Sequence, residues 1–438
     1  VDELTSRSPT TPLLTHDHNR RRVAIAAGLS VLWGIFTLLA QFSGALDAFE
    51  QPLLDWRQSL NAYHVHPSDQ LALIAIDNIP AERPWPWSRL DYSLVLRSLI
   101  DYAPQSVVFE MNLNDRDTQY TSFDDTFSHI VARANIVVFA STAMSRKSTV
   151  MPPIKIRTIP IHGDVRMIPR YESAIWPLDT FAGMSPVGAN NLEAEDELRM
   201  RRLPLIFILG DKVIPSLVLQ ATAQYLGADL PSSEIQVGRA IFLRNRDGKL
   251  LRTVPIDDEG RMDIRFHPGP ITTWQASFDN VLVYDDQIQN HIPPGGDLHA
   301  LTKRQVWIGR TDSGQRELFT TAVGTLSRVE VQMQAERTIL DQDYVRPLPP
   351  MILAALYLLI GIAGATALVR LGPLHAAALL VITASFWFES SILAFRLYNV
   401  VLPLPSFAML LFGTFAVGLL ASIWDLDQEA DSAPAPKA

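Results

Sequence analysis

The chain has 438 residues, a formal net charge of −9 and 48% hydrophobic residues, with a mean hydropathy of +0.12. The acidic balance argues against a nucleic-acid protein, because phosphate binding needs a basic face. The sequence has no cysteine, which removes disulfides, thiolate zinc sites, iron–sulfur clusters and a cysteine nucleophile, and leaves the redox compartment open.

Residues 1–22 are polar, with Ser, Thr, Pro and His, and read as a disordered cytoplasmic leader. His16 and His18 within it offer weak metal binding at most. Residues 23–42 carry no charge and suffice, at ~1.5 Å per residue, to cross ~30 Å of hydrocarbon. Arg20, Arg21 and Arg22 precede this stretch, and only Asp47 and Glu50 follow it closely, so the positive-inside rule places the N-terminus in the cytoplasm. The alternative is a cleaved signal peptide with Ser43, Gly44 and Ala45 at the cleavage site, although the apolar stretch is long for a signal core. Asp55 and Arg57 come next. Their expected role is structural, bracing the first span.

Residues 45–347 read as one extracytoplasmic α/β domain, a mainly parallel sheet with an antiparallel addition. The apolar run Leu71–Ile76 is a buried-strand signal. Leu94, Val95, Leu96, Leu99 and Ile100 recur at helical spacing within residues 92–102. A strand over 106–111, a helix over 123–133 and a strand over 136–140 follow. Strand, helix, strand, helix, strand with short connections implies parallel pairing. A further strand is predicted over 203–209 and a helix over 216–225. Apolar runs at 240–243 and 250–254 flank Arg246-Asp247-Gly248, a hairpin signal. A strand over 305–309 and a helix over 329–340 complete the domain. Residues 351–369, 375–395 and 400–424 are three more apolar spans, and four crossings return the tail, 425–438, to the cytoplasm. Pro347, Pro349 and Pro350 interrupt the link from the last domain helix to the second span. A signal passing there is expected to travel as domain tilt rather than as helix rotation.

The order of these pieces is informative. Asp55-Trp56-Arg57 follows the first span; the strand Leu71–Ile76 is followed by Asp77 and then by Trp85-Pro86-Trp87-Ser88-Arg89; Val107-Val108-Phe109 ends in Glu110; Val306-Trp307-Ile308-Gly309 precedes a Thr-rich stretch, the final helix and three spans. This arrangement resembles the second class of CHASE domains, the extracellular sensory domains associated with cyclases and histidine kinases. The resemblance covers nearly all of residues 23–424, including one span before the domain and three after it. It implies a sensor. The family often carries aspartate where Glu110 stands, and typically continues into a catalytic output domain, whereas 14 residues follow Trp424 here, which leaves a stand-alone member that works through a partner or a truncated receptor as the two expectations. The expectation is therefore a bacterial inner-membrane sensor or regulatory subunit that acts through a protein partner or as a homo-oligomer, surrounded by membrane lipid. The competing expectation is a non-sensing structural subunit of a larger membrane complex.

Asp77 and Glu110 sit at strand C-terminal ends, where open parallel sheets bind ligands, so they are candidates to hold a cation or polar ligand; helix capping and turn chemistry are the alternative. Trp85, Trp87 and Arg89 form an aromatic turn that suits a ligand lid or partner contact, or else covers the core edge while Arg89 pairs with Asp77 or Glu110. Asp257, Asp258, Glu259 and Asp263 lack calcium-loop spacing and read as a solvated turn at Gly260. The polar loop Gly309, Thr311, Asp312, Ser313, Gly314 is not a Walker motif. Glu389 is a charge inside the third span, with Arg396 two turns later on the same face as its expected partner; a proton or ion pathway is the alternative. Gly361, Ala365, Thr414 and Gly418 permit close helix packing. No nucleophile elbow or zinc-protease helix occurs, so no enzyme activity, cofactor or metal is expected, and the small-molecule ligand is unknown.

Overall fold

The computed structural model describes residues 13–60, 66–117, 119–146, 158–193, 199–293, 295–312, 314, 318–371 and 373–431. His64, Ser313 and residues 1–12 of the expected leader lie outside these. The chain divides into two compact units, one made of the residues up to Arg57 with those from Arg346 onward, the other of Gln58–Val345.

The first unit contains α1 (Leu13–Phe42), α2 (Asp47–Ser59) as far as Arg57, and three C-terminal helices described below. Helix α1 begins ten residues before the apolar stretch, so the leader is helical from Leu13 onward. An uninterrupted helix satisfies each backbone N–H four residues back, and nothing in residues 13–22 is a proline that would stop it. Among the described residues, three helices are long and apolar enough to cross a membrane: Arg22–Phe42, Pro350–Leu371 and Leu374–Tyr398. The helix expected to form a fourth span starts later than read and is shorter in its apolar part than those three. Val400–Val401 is a short strand paired in parallel with Arg346–Pro347, because Pro403 and Pro405 favour extended backbone in the residues before them. The helix begins at Pro405, the position where a missing N–H costs nothing, and its apolar part is Pro405–Leu420.

Leu38, Leu353, Tyr357, Trp387, Phe407, Leu410 and Leu411 form the core of this unit. Trp387 stacks on Phe407 at 4.1 Å, and Tyr357 Oη lies 2.7 Å from Ser406 Oγ. Gly413 carries the Trp33 indole directly on its backbone: a Cβ there would sit 1.8 Å from Trp33 Nε1, and that N–H donates to the Met409 carbonyl at 2.9 Å. Gly418 likewise lies under Leu368, and Ala365 and Thr414 are buried, so small residues form the packing seam.

The second unit is a layered α/β fold. Its helices are α3 (Arg89–Ile100), α4 (Ser122–Ala134), α5 (Asp179–Ala182), α6 (Leu217–Leu226), α7 (Phe278–Gln289) and α8 (Arg328–Asp341). The main sheet contains β1 (Leu71–Ile76), β2 (Ser106–Phe109) and β3 (Val137–Met144), with Gln305–Arg310 inserted between β1 and β2 and Gln275–Ser277 on the outer edge of β1. These pairings are all parallel. Beyond β3, Val187–Ala189 pairs in parallel and Ser173–Ile175 antiparallel. Side chains alternate across the sheet as a pleat requires. Ala72, Ile74, Ile76, Val107, Phe109, Val306 and Ile308 pack with α3, α4 and α7. Leu71, Leu73, Ala75, Val108 and Trp307 pack with α6 and α8.

The antiparallel addition is split among small sheets. Residues 203–209 are not one strand: Arg202–Pro204 pairs with Arg261–Asp263, while Ile206–Leu209 pairs with Lys212–Pro215. Pro204 cannot donate to a continuing ladder, which favours a break there. The predicted hairpin forms between Ala240–Arg244 and Leu250–Pro255, with a bulge at Leu243/Arg244. The acidic cluster at 257–263 is a turn, in which Asp257 Oδ1 accepts the N–H groups of Glu259 and Arg261 at 2.9 and 2.8 Å around Gly260 at φ +73°. Helix α8 lies between the main sheet and the small sheets, and eleven of its residues, Val329 and 331–340, are buried.

Candidate functional site around the carboxyl edge and helix α8

Glu110 stands one residue beyond β2, and its N–H donates to the Ile308 carbonyl, so the strand pairing places it. Its side chain is 6% exposed. Arg328 Nε at the start of α8 lies 3.8 Å from its carboxylate, and Gln332 Nε2 lies 3.5 Å away. Burial pushes the Glu110 carboxyl up to about 7, against the opposing pull of Arg328, of an Asn190 hydrogen bond and of Arg310. Asn190 follows the strand Val187–Ala189 and ties the group together. Its carbonyl accepts from Arg328 Nη1 at 2.8 Å, and its Oδ1 accepts from Thr142 Oγ1 at 2.8 Å. Asn112 Nδ2 in turn donates to Thr142 at 2.7 Å. The carboxyl ends of three parallel strands and the first turn of α8 thus share one polar network.

The other four residues singled out from the sequence are not part of it. Asp77 is exposed and accepts from Ser277 Oγ at 2.8 Å, tying β1 to the strand beside it. Trp85 is half-buried, with the Arg310 guanidinium 5.2 Å from its ring centroid; Arg310 also grips Asp312 through two bonds of 2.8 and 2.9 Å. Trp87 and Arg89 face inward. Trp87 is 3% exposed, packs on Phe278 at 5.1 Å and donates its indole N–H to Arg83 O. Arg89 pairs with Asp124 at 3.5 Å and donates to the Asp115 carbonyl at 2.6 Å, rather than meeting Asp77 or Glu110. The reason is positional: Ser88 caps α3, and α3 lies against α4, which carries Asp124. Trp87 and Arg89 therefore hold the aromatic turn in place.

Downstream, α8 continues the polar pattern inside the fold. Glu336 is fully buried and, among the described residues, accepts from the neutral donors Trp307 Nε1 at 2.5 Å and Thr222 Oγ1 at 3.3 Å, with the Gln305 amide close by. Burial pushes its carboxyl up to about 8. Gln334 exchanges bonds with the His267 backbone at 2.8 and 3.1 Å. At the helix end, Arg337 pairs with Asp341 at 3.2 Å, and His267 Nε2 lies 2.7 Å from Asp343 Oδ2. His267, Asp341 and Asp343 are chemically suited to a metal and stand close together, a grouping the sequence reading missed because His267 is distant in the chain. The Arg337 guanidinium already neutralises one of the two carboxylates, which makes the group an ion-pair cluster. The sequence signal for α8 was its composition: Gln332, Gln334, Glu336 and Arg337 are set among the apolar residues Val331, Met333, Ala335, Ile339 and Leu340.

In the first unit, Arg57 is fully buried, pairs closely with Glu50 and donates to the Leu402 carbonyl, while Glu50 accepts from the Leu404 N–H at 3.0 Å. This clamp joins α2 to the segment entering the last helix. Asp55 also has a partner. Glu389 and Arg396 are exposed, and among the described residues no ion pair joins them. Glu389 shares an apolar groove with Leu53 of α2, and neighbouring Phe388 stacks on Trp56 of α2 at 5.7 Å. Glu389 thus stands level with α2, which also carries Asp47, Glu50, Asp55 and Arg57.

The chain thus combines a layered α/β domain, with polar side chains at its carboxyl edge and along its last helix, with helices that precede and follow it in sequence and are apolar enough to cross a membrane. The profile of the CHASE2 domain matches residues 29–368, and the chain belongs to the CHASE2 domain family, an extracellular sensory domain family. Comparison with curated proteins and comparison with solved structures each returned no match.

Proposed function

We propose that this chain is a membrane-anchored extracytoplasmic sensor or regulatory subunit of a bacterial inner membrane. It spans the membrane with both termini in the cytoplasm, catalyses nothing itself and transmits its signal through a partner. The observation that carries this reading is α8. A helix buried on all sides yet bonded through polar groups to the sheet edge, the sheet centre and the small sheets responds to a displacement of any of them, and it is the last domain helix before the chain returns to the membrane-type helices. A ligand acts on such an element only through its differential affinity for two of its arrangements.

The test is gentle solubilisation of the full chain from its native membrane, affinity capture and identification of what stays bound. A stoichiometric partner carrying an output domain is the expected result. Recovery of the chain alone removes the partner from the proposal. Capture within a large assembly, with no small molecule altering hydrogen exchange in α8, turns the reading to a structural subunit.

A further inference from the structure

A cleft of about 450 Å³ in the second unit adjoins the carboxyl-edge network at Ser141 and Ala189 and is bounded by residues 183–189, α6 and the turn at Asp229–Pro231. Its volume is in the range of small-molecule sites. Its walls combine Trp176, Met184, Ile214, Pro215 and Leu230 with Gln220 and Gln224. The two glutamines are one helical turn apart on α6, so both amides face the same side. Both are half-buried, and neither has a partner among the described residues. The cleft carries one acid and one base, Asp229 and Arg246, which lie 3.7 Å apart and cancel at its mouth.

We infer that this cleft binds a neutral saccharide of one or two rings. A pyranose has an apolar C–H face and a rim of hydroxyls, each able to donate and accept. An aromatic and aliphatic wall matches the face, and planar amides, which also donate and accept, match the rim. A cancelled charge pair gives no advantage to an ionic ligand, whose desolvation would go uncompensated. The inference rests on the sensing role proposed above and adds its ligand class and entry point. Two bonds lead from the cleft walls to α8. Ala189 in the wall precedes Asn190, which holds Arg328; α6, which carries both glutamines, also carries Thr222, which bonds Glu336. Occupancy of the cleft is thereby felt at the first and the third turn of α8.

The experiment uses the full chain in lipid nanodiscs, since maltoside detergents would themselves occupy a sugar site. N-acetylglucosamine and maltose are titrated calorimetrically, with glucuronate and glucosamine as charged counterparts, and hydrogen exchange of α8 is followed. Saturable binding of a neutral sugar, protection of α8, and weakening by roughly 10- to 100-fold in Gln220→Ala/Gln224→Ala, the loss of two hydrogen bonds, are expected. Trp176→Phe provides a second variant that keeps the wall apolar and shortens the platform. A tetrasaccharide that binds as well as maltose identifies a glycan chain end as the source; one that does not identifies a free sugar. No binding by either neutral sugar, equal binding by the charged ones, or undiminished binding in both variants overturns the assignment. Stabilisation by another class of periplasmic metabolite then leaves the sensor standing without its sugar, whereas no response to a whole periplasmic extract removes both.

Discussion

Glu110 and Glu336 are two buried acids with different surroundings, one facing Arg328 and one met by the neutral donors Trp307 and Thr222. A carboxyl held above its ordinary 4.5 binds its proton more tightly in the folded chain than in the unfolded one. Its stabilising contribution is complete below that value and is lost as pH rises through about 7 for Glu110 and about 8 for Glu336. Thermal stability should therefore fall between pH 5 and 8, and Glu336→Gln should flatten much of that slope; an unchanged slope in melting curves would show that Glu336 is not the titrating group. Arg57 offers a second case. Truncation to Ala leaves Glu50 without its partner near the entry of the last helix, and removing one member of a buried pair costs about 3–5 kcal/mol. Denaturation of the detergent-solubilised chain measures that loss, and Arg57→Lys should recover only part of it, because a lysine cannot reach two acceptors in the same fork.

At the scale of elements, two glycines decide how closely helices approach their neighbours. Gly188 lies under the start of α6, where an added Cβ would sit 2.6 Å from Leu217 Cα and 2.7 Å from the Ser216 carbonyl. Both are backbone atoms and cannot rotate away, so Gly188→Ala should destabilise the second unit by about 1–3 kcal/mol, read from its melting transition. Gly413→Leu should break the Trp33 contact and splay α1 from the last helix, seen as loss of protection of the Trp33 region in hydrogen exchange. Element identity itself was readable. The apolar run Leu71–Ile76 is a strand with all six residues buried, and Ser216 and Ser88 are caps where their residue type suggests. The single strand read over 203–209 was not, because an apolar run reports burial and says nothing of which ladder each half joins.

At the scale of the molecule, the absence of cysteine from the sequence makes orientation testable with single introduced thiols. Ser232→Cys, in the domain, should react with a membrane-impermeant maleimide in intact cells, while Ser6→Cys should react only after permeabilisation; the reverse pattern would invert the proposed topology. Much of this level was legible. Blocks of uncharged residues must leave water, and alternation of short apolar runs with helical spacing must build a layered α/β domain; these are local consequences of hydration and backbone geometry. The order of strands was not legible. Gln305–Arg310 enters between β1 and β2 although it is among the last strands in the chain, since parallel pairing is settled by which surfaces bury one another. The same holds for the site. Composition marked Glu110 and the aromatic turn as notable, but only packing could turn Trp87 and Arg89 inward, give Arg89 to Asp124, and bring α8, Asn190 and Thr222 together. Hydropathy and spacing are written residue by residue, whereas the partner of a buried polar group depends on every surface that closes over it.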